Sequence, residues 1–152
     1  LKTVAAVSPG CAAAASQLRQ MAWVTPMNAA LQAFNANQQA EAEALAQRAA
    51  FIYQESPLPF FVLGNVAQTR NDMAAAEQQW TTIVRVAEKD TAAQSQELRA
   101  NAMYNLAGVA SGRADDATGD AQKQAAAQAV ERGRAFLAAY PKHPDVVRVQ
   151  AT

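Results

Sequence analysis

One cysteine and one histidine are all this chain holds of the side chains that most often ligate metals or attack substrates. Cys11 alone cannot form an internal disulfide or a multi-cysteine zinc site. His143 stands between Pro141 and Pro144, where it reads as a solvated loop residue. Neither sign of charge prevails. Thirteen basic and thirteen acidic residues cancel, and the basic ones are spread out with no interleaved aromatics. The electrostatic footprint of a nucleic-acid binder is therefore missing. No apolar run approaches the roughly 20 residues of a membrane span. Six glycines and six prolines in 152 residues leave long stretches unbroken, and β-branched residues are scattered rather than alternating. Composition therefore favours helix.

What fills the chain is alanine and glutamine, 39 and 16 residues, over a third of the total and both good helix formers. The expectation is an all-α fold of one domain. Small side chains let helices approach closely. A core made mostly of alanine needs a fold that gains contact by stacking, as a solenoid does.

Period and punctuation divide the chain into helices. A first stretch runs from about Ala14 to Val24. Thr25-Pro26 reads as a cap followed by proline at the first helical position, starting a short helix to Asn35. A turn at Asn35-Ala-Asn37 leads into a helix to about Gln54. Ser56-Pro57 repeats the cap-then-proline start, and Phe60, Leu63, Gly64 and Ala67 share one face of the next helix. Asn71-Asp72 breaks that helix. Met73, Ala76, Trp80, Ile83, Val84 and Ala87 then form a one-sided stripe. The polar stretch Lys89 to Gln96 predicts a turn, Leu98 to Ser111 a helix, Gly112 to Asp120 a loop, and Ala121 to Tyr140 a helix ended by Pro141. Residues 1–13 are set apart as a disordered segment or signal remnant, residues 14–141 as the helical domain, and residues 142–152 as a tail. The chain begins with Leu rather than Met, which reads as a processed or truncated chain. Ser8-Pro9-Gly10-Cys11 resembles a lipoprotein cleavage site, although Pro9 breaks the short apolar stretch before it.

A period emerges at 34 residues, which separates Ala30 from Gly64, Ala42 from Ala76, and Asn37 from Asn71. Residues Phe60, Leu63-Gly64, Ala67, Asn71-Asp72, Met73, Ala76, Trp80 and Ile83 resemble a tetratricopeptide repeat. Ala102-Met103-Tyr104-Asn105-Leu106-Ala107 is similar to the opening of another, closed by Phe136-Leu137 and Tyr140-Pro141. The family's pattern is broken by Ala67, Asn71 and Glu88. The spacing from Leu63 to Leu106 also exceeds one repeat by nine residues, an excess assigned to the turn near Asp90–Gln96. The resemblance implies a tetratricopeptide-like α-solenoid of about three antiparallel helical hairpins with an extra N-terminal helix. Gly64 and Ala76 would sit where backbones nearly touch, and Phe60, Trp80 and Ile83 would fill the space between layers.

The chemistry of an enzyme needs convergent reactive groups. The chain has no Gly-rich phosphate loop, no histidine-based metal spacing and no nucleophile elbow. Asp115-Asp116 and Asp120 lack calcium-loop spacing and read as a solvated loop. No catalytic residue, metal or cofactor is expected. The resemblance instead implies a binding module whose concave face is lined by the first helix of each pair. Residue by residue, that face would offer Leu58, Phe61, Asn65, Gln68 and Thr69 from the middle repeat. The last repeat would add Asn101, Tyr104, Asn105 and Ser111. Asn65 and Asn105 match asparagines with which some family members clamp a C-terminal carboxylate, but Phe61 replaces the lysine of that clamp. An apolar or extended protein segment lying on Phe61 and Tyr104, with amides bonding its backbone, is the expected ligand. The competing reading puts Phe61 against the preceding helix and Tyr104 in the core. The implied role is an accessory or assembly factor in a bacterial envelope complex, with the periplasm or cell envelope favoured over the cytoplasm. The alternative is a structural subunit packed permanently in a complex or a homo-oligomer, for which Val146-Val147 and Val149 offer unaccounted apolar surface.

Overall fold

The computed structural model describes residues 9–150; residues 1–8 of the segment 1–13 set apart as a disordered stretch or signal remnant lie outside them. Among the described residues seven helices occur in order: α1 (Pro9–Asn35), α2 (Gln39–Ile52), α3 (Leu58–Thr69), α4 (Met73–Val86), α5 (Ala93–Asp116), α6 (Gly119–Ala139) and the single turn α7 (Val146–Gln150). No strand occurs among the described residues. None of these helices is long and apolar enough to cross a membrane.

Short links make the helices into hairpins. Helix α1 packs on α2, α3 on α4, and α5 on α6, while α2 meets α3 and α4 meets α5 across the gaps. The first helices of neighbouring pairs also touch, α1 with α3 and α3 with α5. The links inside the first two hairpins are built alike. Asn37 and Asn71 both take φ of 60°, the left-handed region that Asn enters more readily than other non-glycine residues. In the first turn the Gln38 N–H donates to the Ala33 carbonyl at 2.8 Å and the Asn37 N–H to the Phe34 carbonyl at 3.0 Å. In the second the Asp72 N–H donates to the Ala67 carbonyl and the Asn71 N–H to the Gln68 carbonyl, both at 2.9 Å. The orphan carbonyls of each helix end are thus satisfied in the same way. Asp72 then caps α4 by accepting the Ala75 N–H at 3.0 Å.

The core is two adjoining clusters. In the first, Met27, Ala30 and Ala33 of α1 meet Ala42, Ala46 and Ala49 of α2 and Val62 and Val66 of α3. In the second, Ala76, Trp80 and Ile83 of α4 meet Ala102 and Leu106 of α5. Half-buried Phe61 belongs to both and joins them. The stripe read along α4 faces inward, with Ala76, Trp80, Ile83 and Ala87 buried. Gly64 and Ala76 are both buried. What crowds Gly64 is the side chain of Trp80 rather than a helix backbone: a Cβ there would lie 2.9 Å from Trp80 Nε1.

Several boundaries differ from expectation. Thr25-Pro26 does not start a helix; α1 runs unbroken through Pro26 for 27 residues, so no separate N-terminal helix precedes the first hairpin. The proline forfeits one hydrogen bond and crowds the Ala22 carbonyl, a cost of about 3 kcal/mol. Packing on both sides of it, by Trp23 before and Met27, Ala30 and Ala33 after, holds the helix together. At the other end, α5 extends from Ala93 through Gly112 to Asp116, leaving only residues 117–118 as a link. Arg113 anchors that extension by its ion pair to Glu77 of α4, and Gly119, at φ 63°, makes the reversal into α6. Part of the stretch near Asp90–Gln96 expected to be a turn is likewise helical, since α5 begins at Ala93. The boundary placed after residue 13 also falls inside α1.

Candidate interaction groove

Unequal hairpins create a large concavity. Helices α5 and α6 have 24 and 21 residues, against 12 and 14 for α3 and α4. Beside the middle hairpin the long pair leaves a groove of about 1210 Å³. Tyr104 contributes aromatic surface, the buried Trp80 lies behind the wall, and Gln68 and Met73 reach the groove from the middle hairpin. Along α5 it is lined by Asn105, Gly108, Ser111 and Gly112, and along α6 by Ala126, Ala129, Gly133 and Leu137. A Cβ added at Gly108 or Gly112 would meet nothing within 4 Å, so neither glycine is demanded by packing. Their effect is to leave backbone open to the groove.

The walls are fixed by polar ties. Glu77 of α4 is paired by Arg113 of α5 and by Arg132 of α6, whose Nη2 lies 2.8 Å from the carboxylate. Arg132 also donates to the Leu106 carbonyl at 2.9 Å. Burial pushes the Glu77 carboxyl up, but hydrogen bonds from Arg113 and Arg132 outweigh it and hold the group below the ordinary glutamate range. At the far end of the hairpin, the Tyr140 hydroxyl donates to Gln96 Oε1 at 2.9 Å and accepts from Arg99 at 3.2 Å. Gln96 in turn donates to the Ala87 carbonyl at 2.8 Å, tying the α4–α5 link to the end of α6. Tyr104 is held from behind by Phe136, with ring centroids 6.1 Å apart.

The residues expected to line a binding face divide into two groups. Gln68, Tyr104, Asn105 and Ser111 line the groove together. Phe61 does not: its ring packs edge-on against Phe34 at 6.2 Å, in the seam between the two core clusters. Leu58 packs against the first cluster. Asn65 turns its amide back to donate to the Phe61 carbonyl at 2.7 Å, and the Thr69 hydroxyl donates to the Asn65 carbonyl at 2.9 Å. Such back-bonding occupies a side chain locally. Asn101, half-buried one turn before Asn105, is not among the lining residues. Sequence reasoning did not anticipate the α6 wall. Alanine and glycine carry no chemical signature there, and the one available signal was Gly133 standing inside an otherwise strong helix pattern. No family model, curated protein or solved structure matches this chain.

Proposed function

We propose that this chain is a protein-binding module of the tetratricopeptide kind, an α-solenoid of three hairpins that takes a segment of another protein along the α5–α6 groove. One observation carries the reading: four residues that the resemblance assigns to the ligand face, Gln68, Tyr104, Asn105 and Ser111, line a single groove. The matched turns at Asn37 and Asn71 support the repeat, because the same unusual backbone recurs at the repeat spacing. Tyr104 offers a flat apolar surface with a polar tip, and Asn105 and Gln68 offer amides for polar groups of the bound segment. By resemblance, the setting is an accessory or assembly role in a bacterial envelope complex. The test is a display library of short random peptides panned against the chain. Enriched peptides should lose at least about tenfold in affinity when Asn105→Ala and Gly108→Leu are combined, and should not respond to Phe51→Ser on the outer face. Failure to enrich any peptide, or binders blind to the groove substitutions, would overturn the reading.

A second reading rests on a separate surface. Leu18, Met21 and Val24 stand exposed along the back of α1, at 59%, 73% and 44%, and Phe51 of α2 is 85% exposed. Apolar side chains so placed favour a subunit held permanently against a larger complex or another copy. Sedimentation velocity over a hundredfold range of concentration decides the self-association half of it. A single monomeric boundary throughout would sink that half.

A further inference from the structure

The tail expected to be unaccounted for turns out to be seated. Residues 140–145 reverse the chain, and α7 returns along α6 from Phe136 toward its N-terminus. His143 packs edge-on against Phe136 with ring centroids 5.3 Å apart. Further along α7, Val149 rests where Gly133 lacks a side chain, its Cγ1 only 3.2 Å from the position a Cβ would take. Arg148 and Val149 are themselves part of the groove lining. The groove is therefore the continuation of the α6–α7 interface. Its α6 wall runs from Gln122 to Leu137, roughly 22 Å at 1.5 Å per residue. The five residues of α7 cover about a third of that length.

Resting on the binding function proposed above, we propose that the groove takes an apolar helical turn from its protein partner, laid where α7 lies, and that α7 is its built-in competitor. The partner's turn carries a β-branched side chain that enters the Gly133 seat, as Val149 does. It continues beyond the end of α7 over Ala129 and Ala126. A five-residue turn has almost no helical stability of its own, since nucleation costs more than one turn returns. The tail is held by His143 on Phe136, by Val149 at Gly133 and by its tether, which supplies an effective concentration in the millimolar range. A longer partner helix covers the full wall and displaces it, and the tether sets the affinity that the partner must exceed.

The probe is a fluorescent peptide of this chain's own residues 142–152, added in trans to the full chain and followed by anisotropy. Against the wild type the seat is filled and binding is weak. Val149→Asp expels the tail, and the peptide should then bind at least about tenfold more tightly, the advantage lost from the tethered competitor. Adding Gly133→Leu to Val149→Asp fills the seat and should abolish the gain. Hydrogen exchange of residues 146–150 in the wild type, faster than in α6 and slowed no further by excess peptide, is the expected companion result. No gain with Val149→Asp, or a gain indifferent to Gly133→Leu, overturns the proposal. So does a wild-type dimer broken by Val149→Asp, which would assign the groove to the tail of a second copy. Should library-selected peptides bind the groove while ignoring Val149→Asp, the binding function stands and the competition fails. If groove-directed peptides are never found, the two fall together.

Discussion

Gly64→Ala isolates the contact on which the stacking of the middle hairpin depends. The added methyl would lie 2.9 Å from Trp80 Nε1, 3.1 Å from Trp80 Cδ1 and 3.4 Å from Gln79 Cβ. Trp80 is 2% exposed and is wedged among Ile83, Ala102 and Leu106, so its ring cannot retreat without moving the second core cluster. Overpacking of this kind costs about 1–3 kcal/mol. Against it stands the gain of replacing glycine by alanine inside a helix, about 0.5–1 kcal/mol. The net expectation is a loss of about 0.5–2 kcal/mol. Gly108→Ala is the matched control, because it makes the same substitution in a helix interior where a methyl meets nothing within 4 Å. It should stabilise by about 0.5–1 kcal/mol. The difference between the two variants removes the propensity term and leaves the clash. With a urea slope of about 2 kcal/mol/M for a domain of this size, the two midpoints should stand about 0.5–1.5 M apart, Gly108→Ala higher. Urea unfolding monitored by far-UV circular dichroism and tryptophan fluorescence reads this directly. A Gly64→Ala midpoint equal to or above that of Gly108→Ala would mean that the ring and the helix do not touch.

Asn71→Ala should cost about 1 kcal/mol, because alanine resists the left-handed backbone that Asn71 holds at φ 60°, whereas Asn71→Gly should be neutral or stabilising. Thermal melts of the pair decide it, and equal melting points would refute the role of the turn. Glu77→Gln should cost about 1–2 kcal/mol at pH 7 by breaking two guanidinium pairs at once. Because the folded-state pKa of Glu77 is lowered, its contribution is complete above the ordinary value of 4.5 and is lost as pH falls through the folded value. Wild type and Glu77→Gln should therefore converge in stability under acid, and a gap that persists unchanged to low pH would contradict the pairing.

How far the sequence could be read depended on which side chains spoke. The inward stripe of α4 was legible because its residues differ sharply from the polar ones between them, and Trp80 and Ile83 lie where that stripe directs them. The two asparagine turns were legible because a residue tolerant of positive φ recurs at a fixed interval. Pro26 misled, since its local preference is to begin a helix and only tertiary packing on both sides overrides it. Gly112 and the aspartates after it misled for the same reason, their loop character being overcome by the tie from Arg113 to Glu77. Phe61 and Asn65 could be placed on a helix but not on a face of the assembled protein. Nothing local distinguishes an aromatic that meets a ligand from one that meets Phe34.

Both ends of the molecule are held by apolar clusters, and polar ties add to the packing at the third hairpin. In the first cluster five of the eight buried residues are alanines: Ala30, Ala33, Ala42, Ala46 and Ala49. Each contributes little more than one methyl of burial, about 0.8 kcal/mol. Close backbone approach and its many dispersion contacts must supply the remainder. The third hairpin joins the rest through the second apolar cluster and, beyond it, through polar ties of Glu77, Arg132, Gln96 and Tyr140. Polar ties of that kind fix its position without consuming its alanine and glycine surface. Ala126, Ala129, Gly108 and Gly112 remain as a shallow wall that another helix can approach closely. Such a wall shows no apolar peak in the sequence, yet it excludes water efficiently once covered. Its selectivity is one of shape: a bulky side chain introduced at Ala129 would close the groove and leave the ties, and hence the fold, intact.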